Sequence, residues 1–443
     1  MIASQIEENL RESPYTGYAY AYPHKTVYEH FAAPIPLHEL WSSEDQSQLF
    51  LYVHLPFCEM RCGFCNLFTT THIDESLVDR YLDALDNQLR VTAQALNGPA
   101  TFSRAAFGGG TPSFLSCKEL DRLFNLLESN FGAQLPGRPI SFEFSPQTVE
   151  SDKARLLRER GITRASLGVQ SFLLDETKKL GRPQDTSTVH NALNILREAE
   201  FPVVNIDLIY GIVGQTVQSW LQSLEAALSH NPQELYIYPL YVRPLTGLNR
   251  ANRQPTDNRL ELYRMARDLL LANDYQQISM RLFRKRENTR SMEGPVYCCQ
   301  EDGMVGIGAG ARSYTTNVHY CTEYAVGKSG ISTIINDFIE RTSEEHAHAV
   351  YGCELGDDDQ QRRYIIKSLL RIDGLDLTAY QRRFSSDALS DLPQLRALVE
   401  QGLAHLTHTA LVLNTEGMEL SDSIGPWLYS PDIKERISRW QPV

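Results

Sequence analysis

The sequence predicts an α/β protein built on a parallel sheet, and three observations carry that prediction. Short apolar, β-rich runs alternate with amphipathic helical runs six times between residues 49 and 275. Each helical run returns the chain to the same end of the next strand, which is the condition for parallel pairing. The unusual residues cluster just after strand ends, in CEMRCGFC, GGGTP, EFSP, GVQS, DLIYG and PLYV; parallel barrels and open α/β sheets place their ligands there. With 443 residues the chain is long enough for one barrel and a further module. Periodicity alone does not separate an open doubly wound layer from a barrel, but six strands feeding one mouth favour a barrel-like arc.

The elements follow in order. LFLYVHL precedes DESLVDRYLDALDNQLRVTAQAL, where Leu77, Tyr81, Leu85 and Leu89 share one helical face. SRAAFGG gives way to CKELDRLFNLLESNF, and ISFEFSP to SDKARLLRERG. RASLGVQS then leads to DTSTVHNALNILREAEF, VVNIDLIYG to TVQSWLQSLEAALSHN, and ELYIYPLYV to NRLELYRMARDLLLANDY. Residues 1–45 form an aromatic arm, in which YTGYAYAYPHKT either caps the barrel mouth and shapes substrate choice or packs on the barrel's outside. The barrel spans 46–275. An accessory segment, 276–350, reads as β or glycine-rich loop (QQISMRLFRK, GMVGIGAGARSYTTN, VHYCTEY). Residues 351–443 run helix, helix, helix, hairpin and a final helix, the order of a winged-helix-like domain.

Charge and cysteine usage exclude several function classes. A formal net charge of −13 and the lack of any Lys/Arg block argue against nucleic acid, whose backbone demands phosphate neutralisation. No apolar run reaches about 18 residues and the N-terminal stretch is polar and aromatic, so a cytoplasmic protein without membrane attachment is expected. Eight cysteines fall as a trio (Cys58, Cys62, Cys65), a vicinal pair (Cys298, Cys299) and three singles (Cys117, Cys321, Cys353). That is no disulfide framework, and a reducing compartment fits it. An auxiliary metal cluster on Cys298, Cys299, Cys321 and Cys353 is conceivable, but their spacing reads better as buried or incidental thiols.

Three chemistries compete for the trio. A zinc site needs a fourth ligand, with His54 or His72 as candidates. A redox pair at Cys62 and Cys65 needs a helix N-terminus to depress a thiol pKa, whereas NLFTTTHIDE is a poor helix start. An iron–sulfur cubane normally takes four thiolates, so C-x3-C-x2-C leaves one iron open to another ligand.

CEMRCGFC directly after a first strand resembles the signature of the radical S-adenosylmethionine (SAM) superfamily, and YVHLPFC before it resembles the subfamily of oxygen-independent coproporphyrinogen III oxidase and its haem-chaperone relatives. The resemblance continues in order through FGGGTPSFL, EFSPQTV, RASLGVQSF, LGRPQDT, NIDLIYGIVGQT, YPLYVRPLTGL and VGIGAGARSY, over roughly residues 48–320. It implies a partial (β/α)6 TIM-like radical SAM barrel whose [4Fe-4S] cluster is held by Cys58, Cys62 and Cys65. SAM would chelate the open iron, and its reductive cleavage would give a 5′-deoxyadenosyl radical that abstracts hydrogen from substrate.

Carried over residue by residue, Tyr52 would lie near the sulfonium and Phe64 would present its backbone to adenine. Gly109, Gly110 and Thr111 would line the methionine moiety, Glu143 would meet a polar end of SAM, Gln170 and Asp207 the ribose, and Arg182 a carboxylate. A second SAM would lie against Tyr241 and Arg312, with Arg312 alternatively holding an anionic substrate group. The bland readings are a tight βα turn at the glycines, satisfied buried polar groups at Gln170 and Asp207, salt bridges at Arg182 and Arg312, and a plain strand residue at Tyr52.

Two departures shape the expected function. The oxidases proper carry a further cysteine two residues after the third, where this chain has Asn66-Leu67-Phe68; the haem-chaperone branch shows His-Asn-x-x-Tyr-Trp where this chain has PVYCCQEDG. The reading is therefore a radical SAM enzyme on another small, biosynthetic substrate, a second SAM serving as co-substrate or methyl donor. The alternatives are oxygen-independent coproporphyrinogen III oxidase and, in another class, a haem-binding chaperone. A flavodoxin- or ferredoxin-type electron donor and a monomeric state complete the expectation.

Overall fold

The computed structural model describes residues 10–19, 21–74, 76–96, 101–132, 136–286 and 302–440. Its main body is one sheet of thirteen strands: β1 (Glu29–Pro36), β2 (Leu49–Leu55), β3 (Phe102–Gly109), β4 (Ile140–Phe144), β5 (Arg164–Gln170), β6 (Val203–Tyr210), β7 (Glu234–Pro239), β8 (Tyr275–Gln277), β9 (Leu282–Lys285), β10 (Met304–Ile307), β11 (Arg312–Tyr314), β12 (Val318–Cys321) and β13 (His348–Glu354). The spatial order is β1-β13-β12-β11-β10-β2-β3-β4-β5-β6-β7-β9-β8. From β10 through β2 to β7 every pairing is parallel. Antiparallel strands extend both ends of this arc. The linear order leaves β1 and β8 as two edges, so the α/β arc is a partial barrel, as expected.

The helices of the six βα units lie where the periodicity places them: Leu77–Ala95, Cys117–Phe131, Ser151–Glu159, Thr186–Glu198, Val217–Ser229 and Arg259–Ala272, the first five crossing between parallel strands and the last leading into antiparallel β8 and β9. Leu77, Tyr81, Leu85 and Leu89 are all buried on one face of the first. A capping box at Ser116 and Glu119 opens the second helix, and left-handed Gly132 (φ 57°) ends it. In β2, Leu49, Leu51, Val53 and Leu55 join the large core under the helices, whereas Phe50 and Tyr52 pack inside the arc with Ala106, Met304 and Tyr314. Burial on both faces is what a parallel strand requires.

The arm enters the sheet itself, because β1 pairs with β13 antiparallel. Strand β13 runs from His348 to Glu354, across position 350. Further on, helices Asp357–Leu369, Leu377–Phe384 and Gln394–Glu400 pack with a three-stranded sheet (Leu375–Asp376, Ala410–Leu413, Ala404–Leu406). Beyond that winged-helix-like order, Ser421–Trp427 and Pro431–Arg439 add helices. The first of these is pinned to the barrel by an ion pair between Arg281 and Asp422, whose side chains are 6% and 1% exposed. No helix among the described residues is long and apolar enough to cross a membrane.

Candidate active site

The cysteine loop leaves β2 and is closed at its base by two backbone bonds, Cys58 N–H to Thr70 O (3.0 Å) and Thr70 N–H to Pro56 O (2.7 Å). Its crest is held by the chain on both sides: Gly63 N–H donates to Leu180 O at 2.9 Å, and Leu248 N–H donates to Gly63 O at 2.7 Å. Only glycine fits there, since a Cβ on Gly63 would sit 2.7 Å from the Leu180 oxygen. Phe64 packs into a satellite cluster of Leu180, Ile209, Ile212, Leu240 and Leu248. Cys65 N–H bonds Cys62 O at 3.1 Å, so the last two cysteines turn together.

All three thiols face one cavity of about 1050 Å³. Thr111 donates its hydroxyl to Cys58 Sγ (3.5 Å), and Arg182 donates a guanidinium N–H to Cys62 Sγ (3.6 Å). Burial pushes the Cys58 thiol up to about 12 and raises that of Cys62 as well. Thiolates in this pocket therefore need a strong local cation, which is what coordinated iron provides. A soft three-thiol set, with donors already aimed at two sulfurs, fits an iron–sulfur cluster. The histidines considered for zinc are otherwise engaged or placed. His54 Nε2 lies 2.9 Å from the Phe68 carbonyl and its Nδ1 3.3 Å from the Tyr52 hydroxyl, and His72 is exposed.

The next strand ends build the adjoining wall. Gly110 N–H donates to Leu55 O (2.8 Å) and Thr111 N–H to Phe57 O (2.7 Å), which fastens the GGGTP turn to the start of the cysteine loop. A Cβ on Gly110 would lie 2.5 Å from the Phe57 oxygen, so close approach requires glycine. Glu143 accepts the Gly109 N–H at 3.3 Å. Burial, then the neighbouring Asp207, raise its carboxyl to about 7. Asp207 accepts from Asn205 Nδ2 (2.9 Å) and the Ser166 hydroxyl (3.3 Å), and burial raises its pKa too. Gln170 sits at the end of β5 in the left-handed region (φ 68°), beside a register shift between Gly168 and Gln170. Its amide nitrogen lies 3.0 Å from where a Cβ on Gly168 would stand.

The structure thus brings Cys58, Cys62, Cys65, Phe64, Gly109, Gly110, Thr111, Glu143, Gln170, Arg182, Asp207, Tyr241 and Arg312 to one cavity. Tyr52 stands one layer deeper, against the interior cluster rather than on the cavity wall. The Tyr241 hydroxyl is bonded to Asp422 Oδ2 at 2.5 Å. Cys298 and Cys299 lie outside the described residues, while Cys117, Cys321 and Cys353 are free thiols.

Sequence reasoning offered the arm segment YTGYAYAYPHKT for the mouth without singling out Lys25 in it, and did not single out Arg243 after β7 or the C-terminal residues Ser423, Pro426 and Trp427. The arm's aromatic spacing was a signal for the first. The last had none, because contacts between distant segments leave no periodicity.

Comparisons with known proteins agree with this architecture. Residues 52–227 match the Radical SAM superfamily. The oxygen-independent coproporphyrinogen III oxidase of Salmonella typhimurium is 29% identical over 395 residues, covering 85% of this chain and 84% of that protein. The heme chaperone HemW of Bacillus subtilis is 27% identical over 387 residues, covering 84% and 97%. The solved coproporphyrinogen III oxidase (HemN) from Escherichia coli, described as a Radical SAM enzyme, superposes with a TM-score of 0.79 at 25% identity, over 94% of this chain and 96% of that one. The barrel and its cysteine loop make this chain a radical SAM enzyme. Within the superfamily it is similar to the oxygen-independent coproporphyrinogen III oxidases and their relatives. These relatives favour the oxidase reading, which the sequence departures had placed second.

Proposed function

We propose that the protein is a radical SAM oxidase of a porphyrinogen-type substrate, in line with the names of its coproporphyrinogen III oxidase relatives. The observation that carries the reading is the cavity itself: about 1050 Å³, with three thiols on one wall and Lys25, Arg243 and Arg312 among its lining. That volume stands at the top of the roughly 300–1,000 Å³ range of small-molecule pockets, so it suits SAM together with a large partner. A cluster on Cys58, Cys62 and Cys65, with SAM at its open iron, would supply reductive sulfonium cleavage and hydrogen abstraction.

The chain's own part is to bind, orient and shield. Gly109, Gly110 and Thr111 would let backbone approach the methionine portion, with Glu143 at a polar end. Gln170 and Asp207 would take ribose hydroxyls and Arg182 a carboxylate through its fork, while Phe64 would offer its backbone to adenine. Tyr52, below this wall, would act through His54. Trp427 and the arm would keep water from the reacting centre. Each propionate that becomes a vinyl group loses one hydrogen atom, carbon dioxide and one electron. A one-electron acceptor takes that electron, and a flavodoxin- or ferredoxin-type donor supplies the electron that starts the cycle.

A second reading keeps the chemistry but changes the substrate, a second SAM against Tyr241 and Arg312 serving as co-substrate. It is favoured by Asn66-Leu67-Phe68 standing where the oxidases proper carry a further cysteine. The deciding experiment incubates anaerobically reconstituted protein with coproporphyrinogen III, SAM and a reductant. Vinyl-bearing product with matching 5′-deoxyadenosine supports the first reading; 5′-deoxyadenosine without vinyl product sinks it in favour of the second. A stable haem complex with a Soret band and no SAM turnover would instead support a chaperone. Full cluster assembly and SAM cleavage by Cys62→Ala would remove the site assignment.

A further inference from the structure

The crest of the cysteine loop meets the outside of the molecule between two segments. Gly63, half-buried between Cys62 and Cys65, bonds Leu180 on one side and Leu248 on the other, and a Cβ on Gly247 would stand 3.1 Å from the Gly63 Cα. Leu180 follows the short helix Leu174–Lys179, and Leu248 belongs to the helix Gly247–Arg250. The two segments are also tied to each other. Arg253 donates a guanidinium N–H to the Lys179 carbonyl at 3.3 Å and its backbone N–H to Leu248 O at 2.9 Å. On their inner side Leu180 and Leu248 are buried with Phe64.

On their outer side the same segments carry positive charge. Lys178, Arg250 and Arg253 are exposed and Lys179 is half-buried. None of the four makes an ion pair among the described residues, and Asp175, exposed on the same helix as the two lysines, pairs with neither. Other arginines of the barrel surface are engaged: Arg122 with Asp79 and Asp83, Arg155 with Asp152, and Arg160 with Asp121 and Glu128. A helix dipole accounts for cations at the two helix ends, but not for Arg253, which lies beyond them. The whole chain has a formal net charge of −13, so this collar is a local reversal of the prevailing field.

We propose that Lys178, Lys179, Arg250 and Arg253 form the docking surface for an acidic one-electron carrier protein, seated over the crest of the cysteine loop. The proposal rests on the three cysteines holding the redox centre. An acidic carrier is repelled by the molecule's net charge and attracted by this collar, so its approach is steered to the crest. Redox encounters of this kind use small, salt-sensitive interfaces, which four cations around one loop suit. Docked there, the carrier lies one loop away from the thiols; it is oxidised by one electron and this protein is reduced by one.

The test titrates the full-length reconstituted protein at low salt with two acidic carriers, a flavodoxin and a [2Fe-2S] ferredoxin, and with polyglutamate. Neither Lys178 nor Arg250 makes a side-chain hydrogen bond among the described residues, so their reversal leaves the loop's own bonding intact. The double variant Lys178→Glu with Arg250→Glu should bind at least one carrier about tenfold or more weakly, with a flatter salt dependence. Lys178→Arg should bind like wild type, as should Arg382→Glu, an exposed cation on the helix Leu377–Phe384 of the C-terminal module. SAM cleavage driven by dithionite should be equal in wild type and double variant. If the double variant binds both carriers as tightly as wild type, the docking surface is wrong while dithionite-driven cleavage upholds the radical SAM reading. If carrier binding follows the charges but the wild type assembles no cluster, the surface stands and the cluster assignment falls. Equal weakening by Arg382→Glu, polyglutamate binding as tight as the carriers, or failure of the wild type to bind either carrier would each overturn the proposal.

Discussion

Gly63 and Leu180 are joined by a backbone hydrogen bond of 2.9 Å, and the same carbonyl oxygen lies only 2.7 Å from where a side chain on Gly63 would begin. The crest of the cysteine loop is thus set by contact with the LGRP turn, which also carries Arg182 toward Cys62.

Gly63→Ala should therefore damage the cluster before the fold. Backbone atoms have to shift, at the roughly 1–3 kcal/mol typical of overpacking. The expected result is less iron per chain and weaker visible absorbance after reconstitution, with unchanged far-UV circular dichroism. Full iron loading by the variant would show that the loop has slack.

Arg182 reaches Cys62 Sγ at 3.6 Å with one nitrogen and the Ser145 hydroxyl at 3.3 Å with the other. Lysine keeps the charge but loses the fork. Arg182→Lys should weaken SAM binding by about ten- to a hundredfold, the worth of a charged hydrogen bond at about 1.5–3 kcal/mol. Iron content, measured in the same sample, should be retained.

Glu143 yields a pH prediction for the apo protein. Its carboxyl is raised from 4.5 to about 7, chiefly by burial and then by Asp207. The folded state therefore holds this proton more tightly than the unfolded chain. Its contribution to stability is fully present below pH 4.5 and is lost as pH rises through about 7. Glu143→Gln cannot ionise, so it should flatten that fall and leave the variant more stable than wild type at pH 8. Urea titrations at pH 5.5 and 8 measure the difference; an unchanged slope would show that Glu143 is ionised throughout.

Asp422 gathers four parts of the molecule. It pairs with Arg281, accepts from Tyr241 at 2.5 Å, and its carbonyl takes the Gly17 N–H at 3.0 Å, while Arg281 lies 3.7 Å from the Tyr18 ring centroid. Asp422→Ala strands a buried guanidinium and should cost about 3–5 kcal/mol. The same variant should make the arm near Tyr18 cleavable by protease well below the global unfolding midpoint. If arm and core lose protection together, the latch is not local.

The six βα units were legible because each pairs a β-rich run with a helical stripe such as Leu77, Tyr81, Leu85 and Leu89, a local pattern that burial enforces. The cysteine loop was legible from its spacing, and the glycines around it because close backbone approach admits no side chain. What the sequence left open was whatever joins segments far apart in the chain. The pairing of β1 with β13 and the tie of Gly17 to Asp422 in the helix Ser421–Trp427 each depend on residues more than two hundred positions apart. No local periodicity encodes such contacts; they arise when buried charge, aromatic faces and unpaired strand edges find partners only in the assembled fold.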